Sequence, residues 1–228
     1  MRYRNLILLG TSHISIESIK NVEKTIKKEK PGIVAVELDK DRLVALFSKK
    51  RKKHSLKGVG LKGFLFAVIG AYVEKKLGSI VNVEPGSEMK TAIRLAKEQN
   101  AKVALIDQHI TVTLKRFSQT FSWKEKWRLL VDIFRGIFFK KKELAKIGLK
   151  DFDLTKVPEK EVIRKLIDFV KNRYPNIYKV LVQERNEYMA NNLAKLIERF
   201  PKEKIVAVIG AGHEEELLSL VKQKLYKR

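Results

Sequence analysis

Two histidines stand in matched settings near the two ends of the sequence. Leu6-Ile7-Leu8-Leu9-Gly10-Thr11-Ser12-His13 leads into one amphipathic segment, and Val206-Ala207-Val208-Ile209-Gly210-Ala211-Gly212-His213 leads into another. In each, an aliphatic run stops at glycine and a histidine follows in a GxxH pattern. Glycine allows a tight or unusual turn, so each histidine is expected at the carboxyl end of a strand, near the start of a helix. That edge is where open α/β sheets bind ligands. The chain has 4 histidines, and two in equivalent places point to one shared polar site. Carboxylates occupy similar strand ends: Glu37 follows Ile33-Val34-Ala35-Val36, and Asp107 follows Val103-Ala104-Leu105-Ile106. A carboxylate placed directly after core aliphatics must be paired or liganded. Arg42, a few residues beyond Glu37, can turn back toward it. Glu184 and Arg185 are adjacent on a helix and point in different directions, so one can face the site while the other pairs elsewhere. Glu88 opens a helix after Gly86, where compensation of the helix dipole is a sufficient reason for it.

Imidazoles and carboxylates without thiols suit a catalytic divalent metal such as zinc, manganese, cobalt or iron. Such an ion lowers the pKa of a bound water and polarises a carbonyl. A glutamate can take the water's proton, and an arginine can hold a substrate carboxylate or a developing oxyanion. HExxH, the phosphate-binding Walker loop and a GxSxG elbow are all absent, and Gly210-Ala211-Gly212 lacks the continuation of a dinucleotide fingerprint.

These residues need a sheet to carry them. Leu6–Leu9 is short, apolar and closed by glycine, which predicts a buried strand. Ile16, Ile19, Val22 and Ile26 recur at helical spacing, with Ser12 or Ser15 as cap, and Pro31-Gly32 breaks the helix. Ile33 to Leu38 is a second buried strand, so the first elements form a βαβ unit with parallel strands. Asp39 and Asp41 open a further helix. Pro85-Gly86-Ser87-Glu88 starts another, Lys102 to Asp107 is a third strand, and Ile205 to Ile209 is the last core strand before a terminal helix at Glu214. The expected fold is α/β: a central, largely parallel or mixed sheet flanked by helices, with a helical cap or insertion. The whole of 1–228 is read as a single domain, with 49–80 and 111–180 as cap or insertion regions and a loop at Asp151 to Pro158.

Composition bounds the rest. The chain has 228 residues, 44% of them hydrophobic, enough for a substantial core. It has no cysteine, which excludes disulfides and thiolate metal sites. Forty-nine Lys+Arg against 26 Asp+Glu give a net charge of +23. A basic surface attracts nucleic acid or anionic lipid, while a Lys- and Glu-rich, cysteine-free, methionine-poor chain also fits a thermophile. No nucleic-acid motif is present, so nucleic acid is not an expected partner. The excess is dense at Lys49 to Lys53 and at Lys140 to Lys142, beside apolar residues, which makes an anionic membrane surface a candidate partner. The apolar run Gly63 to Val73 is too short for a span of about 20 residues, and no secretory signal is present. The expected location is cytoplasmic or peripheral to the inner face of the membrane. A homodimer is a further expectation.

In order along the chain stand GTSHIS with Ser18 beyond it, VELDKDR, PGSEM, the LID strand with Thr113 to Arg116 after it, ERNEYMA and VIGAGH. This ordered set resembles the TraB/PrgY family, which is related to the Tiki proteins and more distantly to erythromycin-esterase-like and ChaN-like domains. The resemblance covers essentially the whole chain. It implies metal-dependent peptidase or related hydrolase activity, with the two GxxH histidines and a glutamate as functional residues. Carried over, these are His13 and His213 as metal ligands with Glu37 as ligand or general base. Arg42, Glu88, Asp107, Arg116, Glu184 and Arg185 fall on other motif positions, with Arg42 and Arg185 as substrate- or oxyanion-binding residues. The implied cofactor is a divalent metal (Mn, Co, Zn or Fe), and the implied partner is a peptide. PrgY-like members are associated with inhibition of peptide pheromone signalling (pheromone shutdown), so a peptide-binding or sequestering protein without turnover is the alternative, and a membrane-surface module a further one. Two departures stand out. The family often has Asp-Arg after the third strand, where this chain has Asp107-Gln108. Many prokaryotic relatives also carry C-terminal membrane helices, whereas this chain stops soon after His213, as expected of a soluble member or an excised domain.

Overall fold

The computed structural model describes residues 1–12, 15–48, 84–138 and 160–226. His13, the basic and glycine-spaced stretch within 49–80, the Lys140 to Lys142 cluster and the expected loop at 151–158 lie outside the described residues.

One five-stranded sheet organises the chain. Its strands are β1 (Arg2–Tyr3), β2 (Leu6–Thr11), β3 (Ile33–Val36), β4 (Lys102–Leu105) and β5 (Ile205–Gly210), in the order β1-β2-β5-β3-β4. The four longer strands pair parallel, and β1 adds an antiparallel edge. The sheet is therefore mixed and largely parallel, as the βαβ pattern predicts; the two-residue β1 is too short to register in a hydrophobic pattern. The last strand inserts between the first long strand and β3, so the two strands expected to pair directly in the βαβ unit are parallel but not adjacent. Gly10 pairs with Ile209 and Thr11 with Gly210, so the strands that precede the two GxxH histidines are immediate neighbours.

Alternate residues of each strand feed two cores. Leu6, Leu8, Ile33, Ala35, Ile205, Ala207 and Ile209 point to one face, where they meet Met189, Leu193 and Ile197 of α8 (Glu184–Arg199) and Leu217 and Val221 of α9 (Glu214–Tyr226). Ile7, Val34, Val36, Val206 and Val208 point to the other, against Val22 and Ile26 of α1 (Ile16–Glu29) and Met89, Ala92 and Leu95 of α3 (Ser87–Glu98). Strands covered on both faces read as continuous aliphatic runs, which is why four of them are legible from sequence. Each fully buried Leu or Met in these layers contributes about 1.5–3 kcal/mol.

Local signals set the helix starts. Ser15 caps α1 through Ser18 N, and Asp39 caps α2 (Lys40–Phe47) through Asp41 N and Arg42 N. Gly86 precedes α3 at φ +83°, and a Cβ there would meet Leu46 Cδ1 at 2.9 Å, so both backbone and space require glycine. The region between β4 and β5 contains α4 (Ile110–Thr120), α5 (Trp123–Phe138), α6 (Lys160–Arg173), α7 (Pro175–Tyr178) and a π-helical turn (Lys179–Gln183) that runs into α8. No helix among the described residues is long and apolar enough to cross a membrane.

α5 is tied to α7 by a buried carboxylate. Glu125 accepts hydrogen bonds from Asn176 N (2.7 Å), Asn176 Nδ2 (2.9 Å) and Ser122 Oγ (3.0 Å). Burial alone would push its carboxyl up, but the donors from Asn176 and Ser122 outweigh it and hold the group below its ordinary value. A carboxyl lowered on folding adds stability above its unfolded pKa and loses it as pH falls through the folded one. Glu125→Gln is therefore expected to be less stable than the wild type at neutral pH, with the gap closing in acid. Urea denaturation from about pH 7 down to pH 3 checks this; a gap that stays constant across that range would contradict it.

Candidate functional site

The parallel strands β2, β5, β3 and β4 end on the same edge, and a buried polar cluster forms there. Glu37 leaves β3, and its backbone N still donates to Val208 O at 3.1 Å. Its Oε2 accepts from Gly210 N at 2.6 Å, and its Oε1 accepts from Arg185 Nη2. Asp107 leaves β4 and accepts from Arg185 Nε at 3.1 Å and Nη2 at 2.7 Å, from Gln108 N at 2.8 Å and from Arg42 Nη1 at 2.9 Å. Arg185 enters from α8 and also donates to Leu181 O in the preceding π-turn at 3.1 Å. Glu37 and Asp107 are almost completely buried and Arg185 nearly so. Burial alone would lower the Arg185 guanidinium. The charges of Glu37 and Asp107 overcome that and raise it above its ordinary value, so it stays cationic.

His213 closes the cluster from the 3-10 turn Ala211–His213 that joins β5 to α9. Its Nε2 lies 3.4 Å from Glu37 Oε1 and 3.5 Å from Arg185 Nη1. On the other side, its Nδ1 lies 2.7 Å from Asn186 Oδ1, and Asn186 Nδ2 donates to Glu216 Oε2 at 2.9 Å. Tyr178 donates its hydroxyl to the same Glu216 oxygen at 2.8 Å. Burial first, and then this hydrogen bond, push the Tyr178 phenol up to about 12, so it remains a donor at neutral pH. The chain of partners fixes the histidine tautomer. An ionised carboxylate only accepts, so Asn186 must turn its amide nitrogen to Glu216 and its oxygen to His213. Nδ1 then carries a proton, and Nε2 faces Glu37 Oε1. Nitrogen NMR of the neutral His213 ring should show the Nδ1–H form, and Asn186→Leu should shift it toward the Nε2–H form favoured by free histidine. A wild-type ring already in the Nε2–H form would contradict this reading.

At Gly10 the glycine answers to close approach: an added Cβ would lie 3.0 Å from Glu214 Oε2 and 3.1 Å from Ala211 Cα. Gly210, at φ −62°, has ordinary backbone geometry. Gly10 thus serves close packing between neighbouring strand ends, and neither GxxH glycine adopts the left-handed backbone that the sequence pattern allows.

A family-level description of TraB/PrgY/gumN proteins matches residues 3–227. The chain belongs to the TraB/PrgY/gumN family. An uncharacterized protein of Methanocaldococcus jannaschii is 36% identical over 227 residues, which cover 96% of this chain and 54% of the relative. The TraB domain-containing proteins of Mus musculus and Homo sapiens are each 25% identical over 237 aligned positions, covering 90% of this chain and 60% of theirs. The chain therefore spans a little over half the length of the curated relatives it matches.

Within this TraB-family fold the structure brings Glu37, Arg42, Asp107, Arg185 and His213 together. Arg42 turns to Asp107 and not, as its spacing allows, to Glu37, because the Asp39 cap starts α2 beside the end of β4. Arg116 and Glu184 form a two-point pair with each other, at 3.1 and 2.6 Å, on α4 and α8. Glu184 and Arg185 thus diverge as adjacent helical residues should. Glu88 is buried in the first turn of α3. His13 lies outside the described residues.

Asn186 and Glu216 have no motif to announce them. A further group is legible only in hindsight. Asp39, Asp41 and His109 offer ligand atoms that all lie within 4.8 Å of one another, and among the described residues they are a group that can hold a cation. The signal is a matched spacing, Glu37-x-Asp39 on one strand end and Asp107-x-His109 on its neighbour. Their present contacts are structural. Asp39 accepts from Asp41 N at 2.7 Å and from Ile110 N at 3.0 Å, joining the starts of α2 and α4, and His109 Nε2 lies 2.9 Å from Asp41 Oδ2. His109 Nδ1 accepts from Thr111 N at 3.3 Å, which leaves the proton on Nε2, the nitrogen that faces the carboxylate.

His213 and Glu37 have the donor chemistry for the divalent metal that the family resemblance implies. Two ligand atoms each about 2.1 Å from a tetrahedral ion lie about 3.4 Å apart. The Nε2 to Oε1 separation has that value, and a hydrogen bond from Nδ1 to Asn186 is the support a ligating histidine needs.

Proposed function

We propose that the cluster at the carboxyl edge of the sheet is a metal-assisted hydrolytic site acting on peptides. The observation that carries this reading is the pairing of His213 Nε2 with Glu37 Oε1 at 3.4 Å, on a ring whose other nitrogen faces Asn186 Oδ1. His213 and Glu37 would hold the ion, and His13, at the matching place after the neighbouring strand, would be a third ligand. A bound divalent metal supplies an acidic water and a polarised carbonyl. The protein's own groups do the rest. Glu37, buried and hydrogen-bonded by Gly210 N, is oriented to hold or accept a proton. Arg185 locks Glu37 and Asp107 in place. Arg42, whose side chain is 31% exposed, is the guanidinium able to reach a peptide carboxylate or a developing oxyanion.

A cleft of about 450 Å³ runs beside Ala211 and Gly212, between α6 and the first turn of α9. Ile163 and Ile167 line one wall, and Tyr178 and Glu216 another. The cleft would offer a peptide apolar and polar contacts beside the turn that carries His213, although His213 itself does not line it.

One observation favours a second reading, in which peptide is held without turnover. Two carboxylates and two guanidiniums already balance one another, and the hydrogen bonds of Arg185 and Gly210 N reach both oxygens of Glu37. A cation must therefore share Glu37 Oε1 with Arg185.

Incubation of the full chain with a peptide mixture and added Mn²⁺, Co²⁺ or Zn²⁺, read by mass spectrometry, separates the two. Metal-dependent fragments that disappear in His213→Ala support hydrolysis. Peptide retained intact supports sequestration. Undiminished metal-dependent cleavage by His213→Ala would overturn the proposed site.

A further inference from the structure

Helix α5 is amphipathic in the wrong sense for a helix that only covers a core. Its inward side is polar. Glu125 is buried against Ser122 and Asn176, Arg128 Nη1 donates to Arg173 O at 3.2 Å, and Asp132 receives Arg173 Nε at 2.8 Å and Nη2 at 2.7 Å. These three residues follow i, i+3, i+7 spacing and share one face. The opposite face holds Trp123, Trp127 and Leu130, at i, i+4, i+7, and they are 80%, 70% and 60% exposed. Large apolar side chains aligned on an exposed face mark an interaction surface, whereas scattered ones do not.

We propose that this face of α5 docks on an anionic lipid surface. Tryptophan is the residue type of the membrane interface, where its apolar ring and polar N–H both find suitable surroundings. Lysines flank the stripe: Lys124 is exposed, and Lys126 sits with Nζ 4.2 Å from the Trp123 ring centroid. That places the Lys126 ammonium beside the Trp123 indole, as expected where aliphatic stems cover apolar surface and charged heads reach lipid phosphates. The carboxylates of the helix, Glu125 and Asp132, are turned inward and engaged there, so the outward charge of this segment is positive. The net charge of +23 adds long-range attraction to the same target. The helix would lie in the plane of the interface, with its stripe among the headgroups.

The sequence provides its own reporter. The chain contains 2 tryptophans, Trp123 and Trp127, so intrinsic tryptophan emission reads this face alone. The full chain is titrated with vesicles of phosphatidylcholine plus phosphatidylglycerol, and with phosphatidylcholine alone. The expected result is a blue shift with the anionic vesicles, quenching by lipids spin-labelled near the headgroup, and partitioning at least about tenfold weaker without phosphatidylglycerol or in high salt. Leu130→Glu, which keeps both reporters and lies outside the polar cluster at the sheet edge, should weaken partitioning by a similar factor. Unchanged emission would overturn the proposal. So would co-sedimentation with vesicles without an emission change, which would put the contact elsewhere on the basic surface. Emission that is already blue and shielded from acrylamide without lipid would also overturn it, by showing that polypeptide covers the stripe.

Discussion

Arg185→Met is expected to destabilise the fold by about 3–5 kcal/mol, the cost of leaving buried charge without its partner. Arg185 is the bridge of the site: it donates to Glu37 through Nη2, to Asp107 through Nε and Nη2, and to Leu181 O through Nη1. Both carboxylates have a side-chain exposure of 2%, so water cannot replace the guanidinium. Without it they must take up protons or drag water into the end of the sheet. Arg185→Lys keeps the charge but lacks the planar fork that serves both acids, and should lose a smaller part of the stability. Urea or thermal denaturation measures both. A methionine variant within about 1 kcal/mol of wild type would mean that the cluster relaxes to solvent more readily than its burial implies.

Glu37→Gln should leave the fold in place and lower the proposed hydrolysis by at least about 100-fold, the scale of a lost general base. The amide oxygen can still accept from Gly210 N, so the end of β3 stays anchored. The amide nitrogen then faces Arg185 and His213, where neither a proton nor a cation can be held. Circular dichroism separates this outcome from unfolding. Cleavage by a folded Glu37→Gln protein at the wild-type rate would remove Glu37 from the chemistry.

Much of this site was legible because the parallel strands are buried on both faces. Their aliphatic runs mark strand ends, and strand ends mark the edge where Glu37, Asp107 and His213 emerge. The echo between the first and last strands carried long-range information: β2 and β5, nearly 200 residues apart in sequence, pair side by side. Helical geometry separated Arg185 from Glu184, but only the three-dimensional path decides that Arg42 meets Asp107. The hydrogen-bond chain from His213 through Asn186 to Glu216 was not legible, since it joins three residues on three elements with no periodic signature. The same holds for the π-turn at Lys179–Gln183, whose Leu181 carbonyl receives Arg185. The inverted polarity of α5 was hidden for a different reason. Its hydrophobic pattern is an ordinary helical one, and which face meets the protein is decided by Arg173 and Asn176, 41 and 51 positions away from their partners along the chain.

The most direct test of the proposed centre is a crystal of the full chain soaked in Mn²⁺ or Zn²⁺ and measured at the metal's absorption edge. The expected result is an anomalous peak about 2.0–2.2 Å from both His213 Nε2 and a Glu37 oxygen. A peak confined to Asp39, Asp41 and His109, with His213 and Glu37 unchanged, would contradict it.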